Sequence, residues 1–273
     1  MTGADRPTAG PRDPSHATSV RNMFDLFGRT AVVTGARRGI GLAMATALAA
    51  AGADIVAVSS HLETDGSDVQ RAVEQAGRRF LGLRADFSSR AEVTELSERL
   101  TLLDPAVDIL VNNAGTIARA PAVDYTDDLW DHVLEVDLSS QFVLTRGLGA
   151  QMVERGSGKV IFTASLLSFQ GGINVAAYTA AKSAVAGLTK ALANEWAPHG
   201  VNVNAIAPGY IVTDNTEALR ADERRSSAIL ERIPAGRWGQ TRDLAGATVF
   251  LASTASDYVN GVVLPVDGGW LGR

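Results

Sequence analysis

The sequence predicts one doubly wound α/β domain, a seven-stranded parallel sheet with helices on both faces. Three observations predict it. From Thr30 onward, short β-rich runs alternate with longer stretches of helical spacing. The β-rich runs are apolar almost throughout, as strands buried on both faces must be. Their carboxyl ends carry glycine, asparagine, serine or proline, residues that turn a chain.

The elements follow in order. "TAVVTG" is the first strand; it runs into the loop "GARRGIGLA" at 35–43 and a helix over 42–51. "ADIVAVSS" is the second strand and "RFLGLRADF" the third, followed by a helix over 90–102. "VDILVNNAG" is the fourth, and "WDHVLEVDLSSQF" belongs to the helix after it. "GKVIFTAS" is the fifth strand, and "AAYTAAKSAVAGLTKALANEW" the helix that follows. "VNVNAIAPG" is the sixth, leading through "APGYIVT" into a strongly charged helical segment at 214–232. "VVLPVDGG" is the seventh. Ahead of all this, "MTGADRPTAGPRDPSHATSV" is rich in Pro, Gly, Ser and Thr. It reads as a flexible tail over 1–22, with the domain at 23–273.

Composition removes several classes of function. Of 273 residues, 46% are hydrophobic, enough for a large core, and the net charge of -5 argues against a nucleic-acid partner. No cysteine is present, so disulfides, thiolate catalysis and cysteine-held metals are excluded. His16, His61, His132 and His199 are scattered and form no helical metal pair, so no metal is expected. The first residues lack the apolar run of a signal peptide, and Asp5 and Asp13 argue against a transit peptide. With no membrane-spanning stretch either, the expected location is cytoplasmic.

Ligands of open parallel sheets bind beyond the carboxyl ends of the strands. There Gly35, Gly39 and Gly41 allow a tight turn, close backbone approach and close helix packing. The helix that starts among them offers Ile40 and its neighbours' free N–H groups to a pyrophosphate. An acid after the second strand would bind ribose hydroxyls and favour NAD. Ser59 and Ser60 stand there instead, while Arg37 and Arg38 sit inside the glycine loop, where a 2′-phosphate could reach them. The cofactor expected is NAD(P), leaning to NADP; the alternative is that both arginines only face water. Tyr178 and Lys182 are four residues apart and so share one helix face. A neighbouring ammonium would lower the tyrosine pKa, making Tyr178 an acid–base group near neutral pH, with Ser165 as hydrogen-bond partner; taken alone, the pair reads more simply as a surface Tyr/Lys pair on an amphipathic helix.

Together "TGARRGIG", "NNAG", Ser165, "YTAAK" and "APGYIVT" resemble the short-chain dehydrogenase/reductase family, from Phe24 to the end of the chain. The resemblance implies a single Rossmann-type domain that moves hydride between a nicotinamide cofactor and a carbonyl/alcohol pair. It implies Tyr178 as general acid/base, Ser165 as the group orienting the substrate oxygen, and Lys182 on the nicotinamide ribose. Asn112, Ala114 and Gly115 would line the cofactor. Asp86 would meet the adenine, and Ile211 and Thr213 the nicotinamide end; Phe87, Pro208 and Gly209 would also bind the cofactor. One departure stands out: where the family has an asparagine after "NNAG", this chain has Asp137, a further catalytic candidate able to pair with Lys182.

The last third resembles a narrower group. "SFQGGI", "NEWAPHGVNVNAIAPGY", "LRADERRSSAILERIPAGRWG" and "ASDYVNG…VDGGWL" are similar to the sugar-acid 5-dehydrogenases, of the gluconate 5-dehydrogenase and 2-dehydro-3-deoxy-D-gluconate 5-dehydrogenase types. A sugar-acid carboxylate needs a cation, and Arg119 and Arg237 are the candidates. Segment 214–232 would be a substrate lid, and the family implies a homotetramer. Two other readings remain: a ketoacyl-carrier or other carbonyl reductase of the same family, and a non-catalytic dinucleotide-binding sensor.

Overall fold

A computed structural model describes residues 19–273. The expected tail at 1–22 therefore lies mostly outside the described residues, as does His16. Its last part does not: Val20–Met23 form a short helix, α1. The Met23 carbonyl accepts from Thr254 Oγ1 at 3.0 Å, and the Phe24 ring lies 6.5 Å from that of Phe250. This helix lies inside the stretch expected to be tail.

Seven strands form one parallel sheet in the order β3-β2-β1-β4-β5-β6-β7. They are β1 (Thr30–Thr34), β2 (Asp54–Val58), β3 (Phe80–Leu83), β4 (Ile109–Asn112), β5 (Gly158–Thr163), β6 (Val201–Pro208) and β7 (Val263–Val266). β1, β2, β4 and β6 are buried along their whole length, which explains why their sequences are mostly apolar. The order reverses between β1 and β4, and this switch point opens a crevice at their carboxyl ends.

Among the described residues, nine longer helices surround the sheet. They are α2 (Gly39–Ala50), α3 (Asp68–Gln75), α4 (Arg90–Thr101), α5 (Asp127–Leu134), α6 (Ser140–Arg155), α7 (Ala176–Trp196), α8 (Glu217–Ala221), α9 (Glu223–Leu230) and α10 (Ala245–Ala252). Leu96, Leu144, Leu148, Val185 and Leu192 of α4, α6 and α7 pack on one face of the sheet. Met44, Leu48, Val69, Val73 and Leu251 of α2, α3 and α10 pack on the other. Burial of each such side chain contributes roughly 1.5–3 kcal/mol, far above any difference in helix propensity. Among the described residues no helix is long and apolar enough to cross a membrane.

The helix starts differ in a way that matters for the site. α3, α4 and α5 begin at Ser67, Ser89 and Thr126, whose hydroxyls accept from the N–H groups of Gln70, Glu92 and Leu129. α2 begins at Arg38 with no side-chain cap and no acid in its first turn. Between α5 and α6 the backbone widens into one π-helical stretch, Glu135–Ser139. The charged segment at 214–232 is not one helix but a turn followed by α8 and α9, interrupted at Asp222, whose carboxylate caps α9 through the Arg225 N–H. Ile229 and Ile233 fasten this region to Leu166 and the C-terminal Trp270.

Candidate active site

The carboxyl ends of the strands enclose a cleft of about 500 Å³. At its base the turns after β1 and β4 are tied together. Thr34 Oγ1 accepts from the N–H groups of Asn113 and Ala114, each at 2.9 Å, and the Asn113 amide donates to the Thr34 carbonyl at 3.0 Å. Gly35 and Gly39 adopt φ of +66° and +60°, which side chains resist. A Cβ on Gly41 would lie 2.2 Å from the Gly35 carbonyl oxygen, so only glycine lets α2 start this close to β1. The uncapped N–H groups at this end of α2 border the cleft beside Gly39, Ile40 and Gly41. Free donors and a positive dipole end fit a pyrophosphate.

One end of the cleft is wet. Arg37, Arg38, Ser59, Ser60, Asp86 and Phe87 line it as expected, joined by His61, His132 and Ser88. Arg37 holds Glu63 through two contacts of 3.3 Å, so Glu63 is a partner of the loop rather than a free surface charge. Arg38 pairs with Asp214 across the cleft, linking the glycine loop to the start of the lid. Ser59 Oγ accepts from the Arg37 N–H at 3.2 Å. The Ser88 N–H, donating to the Asp86 carboxylate at 2.9 Å, holds that carboxyl below its ordinary range.

The other end is dry. α7 carries Tyr178 and Lys182 into it, as their spacing predicts. Lys182 is 3% exposed, donates to the Thr163 carbonyl at 2.9 Å and stands 3.3 Å from the fully buried Asp137 carboxylate. The π-helical stretch delivers Asp137 there, and its other oxygen accepts from the Thr116 N–H at 2.7 Å. Ser165 ends the extended stretch after β5, its hydroxyl accepting from the Leu167 N–H at 3.2 Å. Burial lowers the Lys182 pKa, but Asp137 and Tyr178 outweigh it and hold the ammonium above its usual range. Burial likewise pushes the Asp137 carboxyl up against the pull of Lys182. Tyr178 departs from expectation. Burial raises its pKa above the ordinary value of 10.0, and Lys182, Ser165 and Arg119 do not overcome burial and the nearby Asp137.

Several expected positions fall elsewhere. The Asn112 side chain is fully buried and donates to Thr145 Oγ1 at 2.8 Å; its neighbour Asn113 lines the cleft with Ala114, Gly115 and Thr116. Thr213 borders the cleft, but Pro208 does not, and Gly209 and Ile211 line a separate pocket of about 160 Å³. Arg237 belongs to that second pocket, its guanidinium gripping Asp243 at 2.6 and 3.2 Å. Arg119 is exposed, donates to the Asn215 carbonyl at 3.2 Å and acts on Tyr178 by its charge. Sequence reasoning missed Thr116, Asn113, His61 and His132. The first three adjoin predicted residues, and adjacency was the signal that could have found them.

Comparison with known proteins agrees with this geometry. A family model described as Enoyl-(Acyl carrier protein) reductase matches residues 35–271. The chain is 58% identical to 2-dehydro-3-deoxy-D-gluconate 5-dehydrogenase of Pseudoalteromonas atlantica, over 92% of this chain and 98% of the relative. A crystal structure of a gluconate 5-dehydrogenase from Burkholderia cenocepacia, in complex with NADP and tartrate, superimposes with a TM-score of 0.88 at 39% identity, covering 93% and 100% of the two chains. A structure from Agrobacterium tumefaciens, described as a candidate 2-deoxy-D-gluconate 3-dehydrogenase with bound NADP, gives 0.86 at 52% identity over 92% and 100%. With the glycine loop, Tyr178 and Lys182 lining one cleft and the Ser165 hydroxyl beside Tyr178, the chain belongs to the short-chain dehydrogenase/reductase family of oxidoreductases.

Proposed function

We propose that the protein interconverts a ring-opened sugar acid and its keto form, with 2-dehydro-3-deoxy-D-gluconate as substrate and NADP(H) preferred over NAD(H). The observation that carries the substrate is the 58% identity to a 2-dehydro-3-deoxy-D-gluconate 5-dehydrogenase across nearly its whole length. The cofactor preference rests on Arg37 and Arg38 in the cleft and on serines, not an acid, after β2. Relatives of known structure that carry NADP support it.

The chemistry follows from the dry end. When bound, the dinucleotide accepts or supplies the hydride at the reacting carbon. In reduction, the Tyr178 phenol donates its proton to the keto oxygen as that oxygen becomes a hydroxyl. In oxidation, the phenolate takes the hydroxyl proton back. Ser165 Oγ, in the same corner, orients the oxygen. Lys182, held by the Thr163 carbonyl, meets the ribose of the nicotinamide half. Arg119 supplies the cation for the substrate carboxylate, and closure of α8 and α9 excludes water. A homotetramer completes this reading: Leu138, Phe142, Val143 and Leu188 form a half-buried apolar groove along α6 and α7, edged by Arg90 and Arg146, suited to burial against a second copy.

Gluconate is the second reading, favoured by the loop arginines and the NADP-bound gluconate 5-dehydrogenase. Nicotinamide absorbance decides between them. The assay oxidises 2-dehydro-3-deoxy-D-gluconate and gluconate with NADP and with NAD, and reduces 5-keto-gluconate with the reduced forms. Faster turnover of the deoxy acid with NADP supports the proposal. Faster turnover with NAD refutes the cofactor preference. Turnover of a 3-ketoacyl thioester but of no sugar acid refutes the substrate class.

A further inference from the structure

Asp137 brings a second buried charge to a site where Tyr178 and Lys182 already suffice for proton transfer. Its carboxylate is fully buried, 3.3 Å from the Lys182 ammonium, and its other oxygen is engaged by the Thr116 N–H. A Cβ on Gly115 would lie 3.4 Å from it, so the turn after β4 lies in van der Waals contact with the carboxylate. The groups facing this corner are few. α7 supplies Tyr178 and Lys182, with the ammonium 5.5 Å from the centre of the tyrosine ring. Thr163 adds only a carbonyl, and Ser165 a hydroxyl. Arg119 and His132 act at longer range, on Tyr178 and Asp137 respectively.

An ammonium lowers a phenol's pKa only through its net field at the phenol oxygen. A carboxylate in contact with that ammonium, inside the same dry corner, cancels most of the field. We propose that Asp137 is a positioning residue that withdraws the Lys182 charge from Tyr178, so that Tyr178 remains a phenol at neutral pH and the site is set to donate a proton, in the reducing direction. The functional part of this inference rests on the reading of Tyr178 as the acid–base group. Reduction uses the phenol and oxidation the phenolate. Keeping Tyr178 protonated therefore extends reduction to higher pH and confines fast oxidation to alkaline solution.

The first readout needs no substrate. Tyrosinate absorbance of the full-length protein is titrated with base for the wild type, Tyr178→Phe and Asp137→Asn. The difference between wild type and Tyr178→Phe isolates Tyr178 from the other three tyrosines. Asn fills the same volume without the charge; Asp137→Ser is the second variant should Asn impair folding, and it must give the same answer. The expected result is that the Tyr178 titration moves down by about one pH unit or more. The alkaline limb of keto-acid reduction, read with NADPH, moves by the same amount. A titration that stays in place overturns the proposal and leaves Asp137 a structural residue. Should no sugar acid turn over while the titration still moves, the substrate assignment fails and the electrostatic role stands.

Discussion

The two ends of the cleft hold charge in opposite ways. At the adenosine end, Arg37 with Glu63 and Arg38 with Asp214 are ion pairs whose side chains are 43% to 68% exposed. At the catalytic end, Lys182 and Asp137 are 3% and 0% exposed. Water screens the first set, so those charges exchange partners at small cost, and a phosphate can displace Glu63 or Asp214. The second set has no water to fall back on. There each charge shapes the proton affinity of its neighbours, and removing one leaves the other stranded. On the proposed function, selection among cofactors falls to the wet end and proton transfer to the dry end.

The sharpest way to break this contrast is Tyr178→Phe. Turnover should fall at least about 10²–10⁴-fold, with cofactor affinity changed less than about threefold, read by steady-state rates and a binding titration. Equal losses in both would mean that the two ends do not act separately.

Lys182→Met probes the dry end next. It leaves Asp137 buried with only the Thr116 N–H, and the unfolding free energy in urea should fall by about 3–5 kcal/mol. The loss should grow with pH. Burial already raises the Asp137 pKa, and without Lys182 nothing but one N–H opposes it. A raised folded pKa gives stability that is complete below the unfolded pKa and is lost as pH rises through the folded one. A loss under about 1 kcal/mol, or one flat in pH, would mean that water reaches Asp137.

Arg37→Ala and Arg38→Ala act on the wet end. Each should weaken NADP about tenfold and leave NAD unchanged, an effect of about 1.4 kcal/mol that added salt diminishes. In the same range, Arg119→Ala should raise KM for the sugar acid about tenfold, whereas Arg237→Ala, committed to Asp243, should leave it unaltered. The smallest effect belongs to Glu63→Gln. Freed from its exposed partner, Arg37 should bind NADP more tightly, but by less than about fivefold. A larger gain would show that this exposed pair resists displacement more than water-screened charges should.

Much of this was legible in sequence. The seven strands and the full extent of α7 follow from apolar periodicity, and α7 observed at Ala176–Trp196 carries Tyr178 and Lys182 on one face as a four-residue step requires. Gly35, Gly39 and Gly41 declare their loop because only glycine tolerates its angles and contacts. Other choices were not legible. Asn112 and Asn113 look alike in a chain, yet the pleat of β4 turns the first into the core toward Thr145 and leaves the second at the cleft. Arg237 carried the right charge for a substrate, but the fold gave it to Asp243.

What the sequence determined by itself is therefore the local material: strands, helices, the uncapped start of α2 and the shared helix face of Tyr178 and Lys182. Periodicity, glycine stereochemistry and helix spacing act over a few residues, so a linear reading captures them. What only the tertiary structure decided is who faces whom. Asp137 reaches Lys182 from another helix, Glu63 reaches Arg37 from the loop after β2, and the Tyr178 pKa rises where its neighbour alone would have lowered it. Electrostatic effects depend on distance and on exclusion of water, and both come into being only when the chain has packed.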